Sequence, residues 1–93
     1  MPGRVEELDK LIARVFGGVL RELRKARNLS QERLAELAGC HRTNISFLER
    51  GLQGPTLYLM HQLARVLDVP LTELARRVEI RVAEELQARE QSD

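Results

Sequence analysis

The sequence predicts an all-α domain of five helices, the first and last of them long. Three observations point there. Apolar residues recur at helical spacing through most of the chain, and no stretch alternates apolar and polar residues as a half-buried strand would. The chain is 43% hydrophobic but only 3% aromatic, with no Trp, so its core is built from Leu, Val, Ile and Ala, which suits a helical bundle better than a sandwich. At 93 residues it has the length of one small domain, residues 1–93, with a thin core that association between subunits often reinforces.

The first helix is marked by Val5, Leu8, Leu11, Ile12, Val15, Phe16, Val19, Leu20, Leu23 and Ala26. Gly17-Gly18 interrupts it, each glycine costing about 1 kcal/mol relative to Ala in a helix interior, so the stripe is either one long helix or two in sequence. Asn28-Leu29 makes the connection to a second helix, which opens at the N-cap Ser30 and carries Leu34, Leu37 and Ala38 on one face. Gly39 ends it where a left-handed backbone is cheap only for glycine. The third helix runs from about His41, its cap, to Arg50 and closes at Gly51; helix, tight turn and helix together form a helix-turn-helix. Leu52-Gln53-Gly54-Pro55 reads as a loop. Thr56 caps the fourth helix, whose core stripe is Leu57, Met60, Leu63, Ala64 and Leu67, and Val69-Pro70 ends it. The fifth begins at Thr72 or a neighbour, with Leu71, Leu74, Ala75, Val78, Val82 and Leu86 on one stripe to about Ala88, and a fraying tail from Arg89 to Asp93.

Projected at about 100° per residue, the third helix turns Ile45 and Leu48 inward, with Asn44 beside them. Thr43, Ser46, Phe47 and Arg50 turn outward and Arg42 flanks them. Short hydrogen-bonding groups, two arginines and an aromatic are the groups that read base edges: Arg pairs with guanine and an apolar surface meets the thymine methyl.

The stretch resembles the helix-turn-helix of the Xre and Cro family, which includes lambdoid phage repressors, and especially the controller proteins of restriction-modification systems. The matching marks are Leu29-Ser30-Gln31, Leu34-Ala35, Gly39, Arg42-Thr43, Ile45-Ser46, Leu48-Glu49 and Gly51, continued by Pro55-Thr56-Leu57, Leu63-Ala64 and Leu67-Asp68-Val69. The departures are His41, where the family usually has Ser, Thr or Asp, and Phe47, where it usually has a polar residue. The resemblance implies a lambda-repressor-like five-helix domain with a core at about 16–74, an N-terminal helical extension at 4–15 and a C-terminal one at 75–88. It implies a transcriptional regulator that binds double-stranded DNA as a homodimer on a palindromic operator. It also implies that Arg24 and Glu49 form a partly buried ion pair, and that Gln31 bonds a DNA phosphate and braces the recognition-helix start at Arg42. Gln53 and Thr56, with the amides around Gly54, would touch the same strand's backbone. Phosphate contacts position such a protein, while Arg42, Thr43, Ser46 and Phe47 would specify sequence. Arg50 fits either role, Asn44 is a phosphate contact or partly buried, and Phe47 is alternatively a dimer contact.

Other functions fit less well. The net charge of +1 neither supports nor excludes DNA, although its distribution is uneven. Residues 1–30 carry Arg4, Lys10, Arg14, Arg21, Arg24, Lys25 and Arg27 against four acids, whereas residues 59–93 carry more acids than bases and should face away from phosphate. Cys40 is alone, and no signal peptide or membrane-length run is visible, so a soluble cytoplasmic protein is expected. Cys40, His41 and His61 suggest neither a catalytic pair nor a metal site, and no phosphate-binding Gly-rich loop occurs; no enzyme and no cofactor are expected. A protein-binding module of antitoxin type, which also binds its own promoter, is the competing reading. For the dimer contact the sequence offers Val78, Val82 and Leu86: the distal stripe exceeds what a five-helix core needs. It either pairs about a two-fold axis, with Val5, Leu8 and Ile12 assisting, or folds back onto that N-terminal stripe within one chain.

Overall fold

The computed structural model describes residues 2–91, with side chains from Glu7 onward. The side chain of Val5 and the tail residues Ser92 and Asp93 therefore lie outside the described residues. Five helices follow one another: α1 (Pro2–Ala26), α2 (Gln31–Ala38), α3 (Arg42–Glu49), α4 (Leu57–Val66) and α5 (Leu71–Gln91). No strand occurs among the described residues, and none of the helices is long and apolar enough to cross a membrane. α5 starts one residue before Thr72 and continues beyond Ala88 through Arg89 and Glu90, past the expected fray.

Local chemistry sets the boundaries. Ser30 and Thr56 each accept a hydrogen bond from the amide three residues on, Arg33 and Leu59, and so cap α2 and α4. Gly39 takes the left-handed conformation, and its amide turns back to the carbonyls of Ala35 and Glu36. Asn28 and Asp68 also have positive φ, after α1 and α4, where these two residue types tolerate the left-handed region best.

The helices close a ring around one core: α1 packs on α3 and α5, α2 on α3 and α4, and α4 on α5. Leu20, Leu34, Ile45, Leu48, Leu63 and Leu74 are fully buried, so every helix contributes to the same interior. Each such side chain supplies about 1.5–3 kcal/mol of burial.

α1 is a single helix, and Gly17 explains how it tolerates its glycine pair. A Cβ at Gly17 would lie 2.2 Å from the Leu48 carbonyl oxygen and 2.8 Å from that of Glu49. Only glycine permits α1 to cross the end of α3 this closely, and α3 is thereby seated directly on α1. Gly18 meets no such obstacle: its nearest neighbour would be an Arg81 guanidinium nitrogen at 3.8 Å.

α5 folds back along α1. Arg14 pairs bidentately with Glu85 at 2.6 and 3.1 Å, and Arg81 with Glu22 at 3.0 and 3.1 Å. Partners descend along α5 as they ascend along α1, so the two helices run antiparallel. The Arg14 hydrogen bonds hold the Glu85 carboxyl below the usual carboxylate value, and the same contact raises the guanidinium's.

Several residues of the expected apolar stripes are exposed, Leu8, Ile12, Ala26 and Ala75 among them, and two more have a clear local reason. Leu37 is exposed, because short α2 reaches its neighbours through Leu34, Ala35 and Ala38; Leu37 sits at the rim beside Gln62, Arg65 and Val66. Leu57 is 71% exposed: as the first residue of α4 it precedes the turn at which that helix meets the core.

Candidate nucleic-acid interface

α3 presents two different faces. Ile45 and Leu48 are fully buried and anchor it. Arg42, Thr43 and Arg50 are exposed, Phe47 is 37% exposed, and Ser46 and Asn44 are half-buried at the margins. The structure thus brings Arg42, Thr43, Phe47 and Arg50 to one solvent face, with Ser46 at its edge. The Arg50 guanidinium lies over the Phe47 ring, 5.3 Å from its centroid, and its Nε donates weakly to the Ser46 carbonyl at 3.4 Å. His41 stands at the N-cap of α3, but its side chain makes no cap bond. Unlike α2 and α4, α3 therefore leaves its first amides without a side-chain acceptor.

The orientation of α3 is fixed at its other end. Glu49, whose side chain is 3% exposed, accepts from Arg24 Nε at 2.6 Å, Arg24 Nη2 at 2.9 Å and Gln31 Nε2 at 3.0 Å. The third guanidinium nitrogen, Arg24 Nη1, donates to the Leu29 carbonyl at 2.8 Å. The Arg24–Glu49 pair thus ties together α1, the α1–α2 connection, the first turn of α2 and the last turn of α3. These hydrogen bonds raise Arg24 above its ordinary value against the opposing effect of burial, and among the described residues no buried side-chain polar atom lacks a partner. Gln31 corrects one expectation: its bracing bond goes to Glu49 at the end of α3, not to Arg42 at the start. A neutral amide beside a carboxylate that already holds a guanidinium adds a third donor to it, whereas the Arg42 guanidinium, itself only a donor, offers the Gln31 amide protons no acceptor.

Gly51 closes α3 with φ +71°, and a Cβ there would lie 2.9 Å from the Arg14 Cα. Gln53 is exposed in the loop that follows. Thr56 uses its oxygen as the α4 cap acceptor, which leaves its hydroxyl proton available. Val78 and Val82 are half-buried against the core and, with Ile12, Phe16, Pro55 and Met60, line an apolar groove of about 390 Å³. Val82 therefore packs within its own chain beside Ile12, and Leu86 lies beside Leu8 and Leu11 but stays 39% exposed.

Cys40 is half-buried, and burial raises its thiol so that it stays protonated. His41 and His61 are exposed. Among the described residues no cluster of three or more His, Cys, Asp or Glu could hold a metal ion.

This arrangement of α2, turn and α3 coincides with a helix-turn-helix family model matched over residues 20–74. The chain belongs to the helix-turn-helix family. It is 32% identical over 75 residues to the cryptic phage CTXphi transcriptional repressor RstR of Vibrio cholerae, covering 81% of this chain and 68% of RstR. Among solved structures it resembles the restriction-modification controller protein C.AhdI of Aeromonas hydrophila, with 44% identity and a TM-score of 0.65 over 67% of this chain and 94% of that one. It also resembles SinR, a master regulator for biofilm formation solved in complex with DNA, with 33% identity and a TM-score of 0.62 over 64% of this chain and 97% of that one. The fold is the lambda-repressor-like one that the sequence predicted, and this helix-turn-helix protein is a DNA-binding transcriptional regulator.

Proposed function

We propose that this regulator binds a palindromic operator as a homodimer, with α3 in the major groove. The observation that carries the reading is the split of α3 into a buried anchor, Ile45 and Leu48, and an outward face of Arg42, Thr43, Ser46, Phe47 and Arg50. Exposed Arg42 on the first turn offers a guanidinium fork for guanine, and the Phe47 ring an apolar surface for a thymine methyl. The open amides at the start of α3 favour a phosphate, as helix N-termini do. Gln31 uses one amide proton on Glu49 and keeps a second for a phosphate oxygen, so the Arg24–Glu49 clamp orients a DNA contact as well as a helix. Gln53 and Thr56 supply further backbone contacts, as does Asn44 from the margin of α3.

The dimer reading draws on the apolar groove and on Leu86, a large apolar side chain left at the surface beside it in sequence. Pairing Val78, Val82 and Leu86 of two copies would cover both, and a palindrome read by two α3 helices calls for half-sites about one helical turn of DNA apart, roughly 34 Å.

Selection of bound duplexes from a random pool tests the DNA reading: a palindrome with half-sites about one turn apart is expected, and a pool with no consensus would refute it. Sedimentation of the intact chain, of Leu86→Glu and of a truncation ending at Arg81 tests the dimer. The intact chain should be dimeric and both variants should dissociate. An intact chain that sediments as a monomer would defeat the pairing.

A further inference from the structure

We propose that Phe47 and Arg50 read one step of the duplex as a single unit: the Phe47 ring packs on the C5-methyl of a pyrimidine, and the Arg50 guanidinium laid over that ring takes O6 and N7 of the adjacent guanine. The inference rests on the DNA-binding reading above and assigns the contact that sequence pattern leaves open between phosphate and base.

Four observations carry it. Phe47 is a large apolar side chain held at the surface of a helix whose inner face is complete without it, since Ile45 and Leu48 already fill the core contact. Arg50 follows at i+3, on the same side of the helix, and its guanidinium sits 5.3 Å from the ring centroid, within the range at which a cation is attracted by an aromatic face. Among the described residues Arg50 enters no ion pair, and Glu7, the acid that lines the same surface hollow, shares it with Lys10 and Arg14. Finally, three residues of helix advance about 4.5 Å, close to the roughly 3.4 Å between successive nucleotides of a strand, so with α3 lying along the groove the two side chains would meet neighbouring bases.

The stack has a chemical consequence. A ring that selects a C5-methyl does not depend on what the pyrimidine carries at C4, so thymine and 5-methylcytosine satisfy it alike, whereas uracil and unmethylated cytosine do not. The ring also restricts the rotamers of a long side chain before DNA arrives, which lowers the ordering cost of a bidentate guanine contact.

The test uses the intact chain and the duplex it selects. Each thymine is replaced in turn by uracil, which keeps the pairing and removes only the methyl. One thymine, immediately 5′ or 3′ to a guanine, should show a loss of about four-fold, the worth of one buried methyl. In Phe47→Ala that penalty should vanish while overall affinity falls. Placing 5-methylcytosine, but not cytosine, at that position should restore the affinity lost with uracil. Arg50→Ala should weaken the selected duplex by about tenfold and flatten preference at the adjacent guanine, and Arg50→Lys should not rescue it, because an ammonium lacks the fork. Thermal melts check that the variants remain folded. A uracil penalty that persists undiminished in Phe47→Ala would overturn the inference, as would an Arg50→Ala loss equal on every duplex, which marks a phosphate contact. Either result leaves specific binding intact and the broader reading standing. Failure to select any duplex strikes that broader reading instead.

Discussion

Adjacent glycines in α1 make an internal control for how α3 is seated. At Gly17 an added Cβ would lie 2.2 Å from the Leu48 carbonyl oxygen, where the close end of ordinary contact is 3.4 Å. The obstacle is backbone, so no rotamer change relieves it, and α1 and α3 must part by about 1.2 Å at the crossing, the shortfall between those two distances. A radial gap of about 0.5–1 Å already forfeits a quarter to a half of a dispersion contact, and overpacking of this kind costs about 1–3 kcal/mol or more. Against that, Ala gains about 1 kcal/mol of helix propensity over Gly. Gly17→Ala should therefore destabilise by about 2 kcal/mol or more, since the backbone clash pushes the overpacking cost to the upper end of its range. Gly18→Ala meets nothing closer than 3.8 Å and should keep the propensity gain, stabilising by about 0.5–1 kcal/mol. At about 4–8 °C per kcal/mol for a domain of this size, the two melting temperatures should separate by more than 10 °C in opposite directions from the parent. Thermal and urea melts followed by helical circular dichroism read this directly. DNA affinity should fall in Gly17→Ala beyond what its unfolded fraction explains, because the same crossing aims α3. If both variants melt together, the close approach of α1 and α3 is wrong.

Glu49→Gln leaves the Arg24 guanidinium buried against a neutral amide and should cost about 3 kcal/mol, the lower end for a broken buried pair because the amide still accepts one bond; an unchanged urea midpoint would deny the clamp. Arg42→Ala should lose about 1–3 kcal/mol on the selected duplex and relax one base position, and an unaltered consensus would remove Arg42 from the reading face. For Glu85, a folded value below the ordinary one means that its stabilising effect is complete above the unfolded value and fades as pH falls through the folded one. Acidification below the ordinary carboxylate value should therefore speed amide exchange across residues 82–91 before 71–78, and uniform protection along α5 would show that Arg14 and Glu85 do not hold it.

Features governed by local periodicity were legible in the sequence, and those governed by the meeting of distant backbones were not. Ile45 and Leu48 on one side of α3, and Arg42, Thr43 and Phe47 on the other, follow from the helical repeat alone, and the caps follow from the hydroxyl residues Ser30 and Thr56 standing just before α2 and α4. Leu57 misled because a stripe states which way a side chain points, not whether a neighbour extends far enough to cover it. Gly17 advertised its cost but not its partner, a carbonyl oxygen thirty-one positions further along the chain. Gln31 was recognisable as a bracing group, yet which end of α3 it reached depends on how α2 crosses α3. Charge shows the same division. Read along the chain, the C-terminal end is acidic and α1 basic, which suggests segregated surfaces. In the fold, Glu85 is bound to Arg14 and Glu22 to Arg81 between α1 and α5, and Asp68 to Arg27 between the turns that follow α4 and α1, so bases and acids distant in sequence meet. The single acid of α3, Glu49, is turned inward beneath Arg24. What remains on the outer face of α3 is Arg42 and Arg50 with no acid on their helix to offset them. A chain of net charge +1 can thus offer phosphate and guanine a locally positive surface on α3, because the one acid of that helix is turned inward.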